Sequence, residues 1–394
     1  MKPTMKTRWT SVTATMLAFS VIGIVASADD TPAPAPPPAP TAAPSAAPSP
    51  AASPETSPPG PSPVELTSFV DTYYSYNFNK PAGDTPLRNF DTKHNQLSIN
   101  LVEVALEQKP TAKGRLGFRA DLDFGPTTDI VHAAEPGGTD VFKIFEQGYL
   151  SYLAPAGTGL QLDVGKFVTP FGAEVIETKD NWNYSRALLF ALAIPYYHVG
   201  VRATYDVNDK LTLNGYLVNG WNDAVDNNGG KSIGLSATLK PHPKLTIVGN
   251  FMGGPEQKDD SADKRYLWDG TVTFNATPTI SLMANYDYGK DRFAGVPVKW
   301  QGIAGYVRWQ ATPNWALAPR VEWLDDADGF MTGVSQKVKE VTFTSENKID
   351  GGLLARLEFR RDMADEPFFV KDGEKVKAQN TFTVGLVYAF GTKF

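Results

Sequence analysis

Along RLGFRADLDFG (115–125) the residues Leu116, Phe118, Ala120, Leu122 and Phe124 alternate with Gly117, Arg119, Asp121 and Asp123. A period of two predicts a β-strand with two unlike faces. One face is unusual, because Arg119, Asp121 and Asp123 put three charges in a row at every second position. The same alternation returns along the chain. Leu160, Leu162 and Val164 form one such face, and Tyr197, Val199, Val201, Ala203 and Tyr205 a second. Ile233, Leu235, Ala237 and Leu239 form a third; Ile280, Leu282, Ala284, Tyr286 and Tyr288 a fourth; Leu353, Ala355, Leu357 and Phe359 a fifth. Around Leu101-Val102 the phase slips by one, which predicts a β-bulge. No long amphipathic helix pattern appears from Glu65 onward.

The connections alternate in length. Short ones, rich in Pro, Asn, Asp and Gly as tight turns require, fall at 109–114, 154–159, 208–210, 241–244, 277–279, 312–314 and 347–351. Longer polar segments lie between them, for example 79–93, 125–141, 168–195, 254–264 and 364–378. This punctuation predicts about sixteen strands of roughly 9 to 13 residues, joined by seven short turns and eight long loops. Hydrocarbon cannot satisfy a peptide N–H, so a sheet that spans it must close on itself. The fold class expected is therefore all-β: a transmembrane antiparallel β-barrel with short periplasmic turns and long extracellular loops. A soluble β-sandwich or β-solenoid alternates in the same way. The one-ended asymmetry of the loops separates the two.

Aromatic residues near strand ends support the membrane reading. Tyr73, Tyr74, Tyr149, Tyr152, Tyr196, Tyr197, Trp268, Trp300, Trp309, Trp315 and Trp323 are placed where interfacial girdles would need them. The last strand carries Phe382, Val384, Leu386, Tyr388, Phe390, Thr392 and Phe394 in one parity. A carboxyl-terminal strand of this kind is what barrel-insertion machinery reads, which makes that machinery an expected partner alongside outer-membrane lipid.

The first 28 residues do not belong to this pattern. Lys2, Lys6 and Arg8 precede a mostly apolar run from Val12 to Val25, and Ala26-Ser27-Ala28 is a small-residue cleavage pattern. These are the parts of a secretory signal peptide, 1–28. Residues 29–63 are dominated by Pro and Ala and hold almost no large apolar side chain, so they predict a disordered linker. The barrel domain expected is 64–394. Removing the three cations of the leader takes the net charge from −6 to −9, which argues against nucleic acid as a partner. The chain has no cysteine, so thiolate chemistry and disulfides are excluded.

With apolar residues toward lipid, the charged face belongs to the lumen, and a barrel of this width is too wide for side chains to fill. The expected pore-lining charges are Arg119, Asp121, Asp123, Arg202, Asp206, Arg265, Asp269, Asp287, Arg308, Arg320, Glu322, Arg356, Glu358 and Arg360. Their mixed signs predict weak ion preference. The longest and most mixed loop, TPFGAEVIETKDNWNYSRALLFALAIP (169–195), supplies Glu174, Glu177, Lys179, Asp180 and Arg186 as a constriction if it folds inward, or a free outer loop if it does not. No cofactor or metal ligand set is read.

The block GKFVTPFGAEVIE (165–177) with NWNYSRALLFALAIPYYHVGVRATY (181–205) resembles the bacterial putative beta-barrel porin family of OmpL-like proteins. VNGWND (218–223), GNFMGGPE (249–256) and RLEFRRDMADEPFF (356–369) fit the same pattern. The resemblance implies an outer-membrane pore for passive diffusion of small hydrophilic solutes or ions, without catalytic residues. Two other readings stay open. One is a structural barrel anchored through the Pro-rich segment. The other is a hydrolase barrel, for which only His94, His132, His198 and His242 are available, with no G-x-S-x-G or H-E-x-x-H motif. Gly229-Gly230-Lys231-Ser232 lacks the spacing of a phosphate loop. Asp325, Asp326 and Asp328 lack the twelfth ligand of an EF-hand and suggest at most loose divalent binding. Apolar surface toward lipid and toward a second copy looks alike in sequence, so a homo-oligomer is possible.

Overall fold

The computed structural model describes residues 62–133, 143–349 and 351–393. The expected signal peptide, nearly all of the linker, part of the second long loop and Phe394 lie outside the described residues. Elements follow chain order, beginning with β1 (Glu65–Asn77), β2 (Gln96–Gln108), β3 (Leu116–Phe124) and the short helix α1 (Pro126–Val131). Next come β4 (Phe145–Ala154), β5 (Leu160–Val168), β6 (Tyr197–Asn208), β7 (Leu211–Val218) and β8 (Ser232–His242). They are followed by β9 (Leu245–Gly254), β10 (Arg265–Asn275), β11 (Ile280–Phe293), β12 (Val296–Thr312) and β13 (Trp315–Asp326). The last strands are β14 (Gln336–Ile349), β15 (Leu353–Ala364), the small hairpin β16 (Phe369–Lys371) and β17 (Glu374–Val376), and β18 (Ala378–Lys393).

Sixteen strands form one closed barrel in which each pairs antiparallel with its chain neighbour. Closure is made by β18 on β1, in register from Glu65 opposite Lys393 to Asn77 opposite Thr381. The β16–β17 hairpin sits in the final long loop, outside the barrel sheet. The phase slip expected near Leu101 is present. Asp71 pairs with Leu101 and Thr72 with Ile99, so Asn100 is the extra residue.

Two expectations need correction. Strands run from 8 residues in β7 to 17 in β12, a wider range than the turn spacing implied. The sixth outer connection is not long either. β11 and β12 are joined by Ala294 and Gly295 alone, both at positive φ (50° and 78°). This is the backbone of a two-residue hairpin turn whose twist matches the flanking strands.

Burial is inverted relative to a soluble protein. Ile233, Leu235, Val272, Ile303, Val321, Phe343, Leu357 and Phe390 are exposed on the outer face. Asp71, Asp163, Asp287, Arg320, Glu340, Arg356 and Arg360 are buried inside. Tyr74, Tyr152, Trp268 and Trp309 point outward, as an interfacial girdle requires. Tyr73, Tyr196, Tyr197 and Trp300 do not, because they are buried. Tyr73 shares parity with Asp71 and Ser75, and Trp300 with Gly302 and Ala304, so strand parity overrides nearness to a strand end.

Phe343 lies at the middle of β14 and is 58% exposed on the outer face. Phe343→Arg is expected to destabilise the barrel by about 2–4 kcal/mol in lipid, read as a shift in the unfolding midpoint in phospholipid vesicles. A neutral outcome would mean that this face does not meet hydrocarbon.

Candidate functional site

The interior is organised by the loop between β5 and β6, residues 169–196. Instead of projecting outward, it lies along the inner wall at mid-height and hydrogen-bonds to strands on the far side of the barrel. It begins beside β9, where Asn250 donates to the Pro170 carbonyl (3.0 Å). A single 3-10 turn, Thr178–Asp180, brings the chain to β1. There Asp71 accepts from Thr178 Oγ1 (2.6 Å), Tyr184 Oη (2.8 Å) and Asn100 Nδ2 (2.7 Å). A short π-helical turn, Leu189–Ala193, then runs past β12, where Trp300 Nε1 donates to the Ala193 carbonyl (3.1 Å).

Between these points the loop is held by arginines. Arg356 donates to the carbonyls of Thr178 (2.6 Å), Asn181 (2.5 Å) and Asn183 (3.2 Å) while pairing with Glu346 (2.7 Å). Arg320 donates to the Ser185 carbonyl and to Glu174, both at 2.7 Å, and pairs with Glu340 (3.1 Å) and Glu322 (3.2 Å). Arg360 reaches the Arg186 carbonyl (2.6 Å) and Asp362 (2.8 Å). Glu358 does the reverse, accepting the Tyr184 and Ser185 amides (2.7 and 3.0 Å). A loop without regular structure has bare amides and carbonyls, and buried ones must find partners. The charged inner wall supplies them.

Close approach also needs space. A Cβ at Gly385 would lie 2.2 Å from the Tyr184 ring, and one at Gly302 would lie 2.3 Å from Leu189. Both glycines are therefore seats for the loop.

The expected pore-lining residues separate into two groups. Arg320, Glu322, Arg356, Glu358 and Arg360 are on the inner wall but covered by the loop, so they face its backbone rather than water. Asp121, Asp123, Asp269 and Asp287 are also buried; Asn250 and Asn285 both donate to Asp269 (2.5 and 2.6 Å). Arg119, Arg202, Arg265 and Arg308 keep 28, 20, 14 and 17% of their side chains accessible, each pairing with a carboxylate that is nearly or fully buried. Asp206 is exposed at the short-turn end of β6 and accepts from Thr212 (2.5 Å).

The expected constriction residues divide in the same way. Glu174 and Arg186 are buried fasteners. Glu174 accepts the Ala187 amide (2.6 Å), and Arg186 donates to the Val175 and Tyr184 carbonyls (2.9 and 2.7 Å). Lys179 and Asp180 pair with each other at the accessible edge of the loop. Glu177 is half-buried toward β2 and β3. A cavity of about 260 Å³ lies between Glu174, Asp180, Asn181 and Trp182 of the loop and Thr273, Met283 and Tyr306 of the wall.

The first long loop, 78–95, closes over the third. Arg88 pairs with Asp362 (3.0 Å) and Asp91 (3.3 Å), and Phe90 packs on Phe190 and Tyr196. Burial raises the Asp91 carboxyl above its usual range, with Arg88 opposing. Sequence reasoning passed over Asp71, Arg88, Glu340, Glu346 and Asp362. Extending the alternation to VKEVTFTSEN (338–347) would have found Glu340 and Glu346; loop contacts leave no such signal. The Asp325-Asp326-Asp328 segment has a structural use, since Asp326 accepts the amides of Phe330 (2.9 Å), Met331 (3.0 Å) and Thr332 (2.7 Å) and so shapes the loop after β13.

The histidines are occupied locally. His198 lies between the Gly220 carbonyl (2.9 Å) and Thr169 Oγ1 (3.0 Å), and His132 contacts the Thr128 carbonyl (2.8 Å). His94 and His242 accept the amides of Asn77 (3.0 Å) and Lys244 (3.1 Å).

Gly385→Val is expected to push Tyr184 off the wall, and Arg356→Met to strip three loop carbonyls of their donor at a local cost of about 3–5 kcal/mol. Both predict faster amide exchange across 178–186 with the barrel intact, read by hydrogen exchange. Unchanged protection would mean that the loop is held by other contacts.

Known proteins give the same picture. The family model described as putative beta-barrel porin-2, OmpL-like, matches residues 63–390. No curated protein sequence matches the chain. Among solved structures, the anion-selective porin from Comamonas acidovorans is similar at TM-score 0.58 and 13% identity, covering 84% of this chain and 100% of that one. The trimer form of OmpT from Vibrio cholerae aligns at TM-score 0.57 and 12% identity, over 83% of this chain and 99% of its own. The outer-membrane channel DcaP of Acinetobacter baumannii aligns at 0.56 and 13%, over 83% and 97%. At these identities the structures speak for the fold, and the family match carries the function. The chain belongs to the putative beta-barrel porin-2, OmpL-like family, and is a channel-forming porin of the bacterial outer membrane.

Proposed function

We propose that the barrel is a passive diffusion pore whose bore is set by loop 169–196, with no chemical step and no cofactor. The observation that carries this reading is the seating of that loop on Arg320, Arg356 and Arg360 across the lumen. Seating it there leaves water only the strip of wall the loop does not cover. Small hydrophilic solutes and ions fit such a strip. Arg119, Arg202, Arg265 and Arg308, with Lys179 and Asp180 on the loop edge, are the charges they would meet. The local engagement of all four histidines speaks for a non-enzymatic role.

The proposed chain organisation is a cleaved leader, 1–28, and a Pro/Ala spacer, 29–63, ahead of the barrel. The spacer would enter β1 at the short-turn, periplasmic end. At about 3.1 Å per residue it could reach on the order of 100 Å into the periplasm. One structural neighbour is described as a trimer, and a homo-oligomer is proposed here by analogy. Cross-linking in detergent tests it.

One observation favours a plugged, structural barrel instead. Phe90, Leu188, Leu189, Phe190 and Ile194 make an apolar core inside the barrel where the first and third loops meet. Conductance separates the two readings. The mature protein in a planar bilayer is expected to give stable current steps, and deletion of 181–190 is expected to raise the step roughly twofold or more. Absence of steps in the intact chain, with steps in the deletion, would favour the plug. Turnover of a lipid or peptide substrate would overturn the non-enzymatic reading.

A further inference from the structure

The outward face of the barrel is apolar over most of its height, but its cations are gathered on one side. Lys290 and Arg292 of β11, Lys299 of β12, Lys337 and Lys339 of β14 and Arg361 of β15 are all exposed. They share the strand parity of the outward residues Tyr286, Ile303, Phe343 and Leu357. Each lies toward the extracellular end of its strand. Among the described residues of β11–β15, Asp325 alone is acidic at this parity. Within β1–β9, no exposed Lys or Arg lies at an extracellular end.

Most of this charge is unmatched. Arg292 pairs with Asp263 (3.8 Å) and Lys337 with Asp325 (3.9 Å). Asp328 and Asp365, from the neighbouring loops, accept the backbone amides of Lys299 (2.9 Å) and Lys337 (2.7 Å). Lys290, Lys299, Lys339 and Arg361 form no ion pair among the described residues. Arg361 donates to Asn380 Oδ1 (3.1 Å), and the Lys290 ammonium lies 5.0 and 5.4 Å from the centres of the Tyr266 and Trp268 rings. Lys290 and Lys299 are direct cross-strand neighbours, and Lys339 and Arg361 are diagonal ones. Like charges set opposite each other in a sheet destabilise it, unless an anion lies between them. The contact of Lys290 with Tyr266 and Trp268 sets the level of that anion, because such rings mark the boundary between hydrocarbon and headgroups. Lower on the same wall, an outward groove of about 440 Å³ lies between Val307, Leu317, Pro319, Phe343 and Leu357.

We propose that this patch docks a phosphate-bearing glycolipid of the outer leaflet, of the lipid A class. Its phosphates lie against Lys290, Lys299, Lys339 and Arg361, and its acyl chains lie on the apolar wall and groove below. A phosphate monoester carries more than one negative charge at neutral pH. Its oxygens suit both the point charge of an ammonium and the planar fork of Arg361. A zwitterionic headgroup brings its own cation and gains less here. A soluble anion satisfies the cations but leaves the groove bare, whereas a lipid satisfies both. The site does not depend on whether the bore conducts.

The test titrates the folded mature chain in neutral detergent with lipid A, with lipid A stripped of its phosphates, and with inorganic phosphate, and reads bound lipid by native mass spectrometry. The wild type is expected to hold lipid A more tightly than the stripped form. Lys290→Gln/Lys299→Gln should weaken lipid A binding about tenfold or more, at roughly fivefold per cation near an anionic headgroup, and should leave the stripped lipid unaffected. Lys339→Gln/Arg361→Gln should act alike, so that if one pair fails to show heat-modifiable migration the other reads the same loss. Inorganic phosphate at matched concentration is expected not to displace the lipid. Three results overturn the proposal: equal binding of both lipids by the wild type, unchanged lipid A binding in either folded variant, or displacement by free phosphate.

Discussion

A peptide group inside hydrocarbon has nothing to bond to except another peptide group. Sixteen strands meet that demand only by closing β18 onto β1, and closure then dictates the remaining chemistry. A closed sheet has one face toward acyl chains and one toward an enclosed volume. Phe343 and Leu357 are consequently outside, while Arg320 and Arg356 are inside. Burial of charge, which a soluble fold avoids, becomes the ordinary condition of the inner wall.

That condition creates a second demand. Arginines and glutamates on adjacent strands partly neutralise one another, as Arg356 does with Glu346 and Arg320 with Glu340. Each guanidinium has five donors, however, and a single carboxylate cannot occupy them all. The third loop brings the complementary surplus, a run of carbonyls and amides without secondary structure to satisfy them. Wall and loop solve each other's problem. The loop is seated by backbone contacts as much as by side chains.

The seating also decides which charges meet water. The densest ionic region, on β13–β15, is spent on holding the loop. The accessible charges are sparser, and in four ion pairs the guanidinium is outermost while the carboxylate lies buried behind it. Some inner-wall carboxylates, Asp123 and Asp287 among them, keep an oxygen without a hydrogen-bond partner among the described residues. An inventory of lumen charges therefore says little about a bore until covered and uncovered groups are separated.

The strand alternation, the turn chemistry and the one-ended loops were legible in the sequence and determined the barrel, its strand number and the bulge beside Leu101. These are local properties, because a period of two and a tight turn are decided by residues close together in the chain. Tertiary structure alone decided the rest. That Arg320 holds the Ser185 carbonyl across 135 positions, or that Gly385 is small to admit Tyr184, is a contact between distant segments with no local signature. The two-residue turn at Ala294-Gly295 and the inward parity of Trp300 are local features by contrast, and the expectations of a long sixth loop and an outward Trp300 missed them. Parity and backbone conformation fix where a side chain points, but what covers it depends on how a loop crosses the barrel, and that is set by partners far away in sequence.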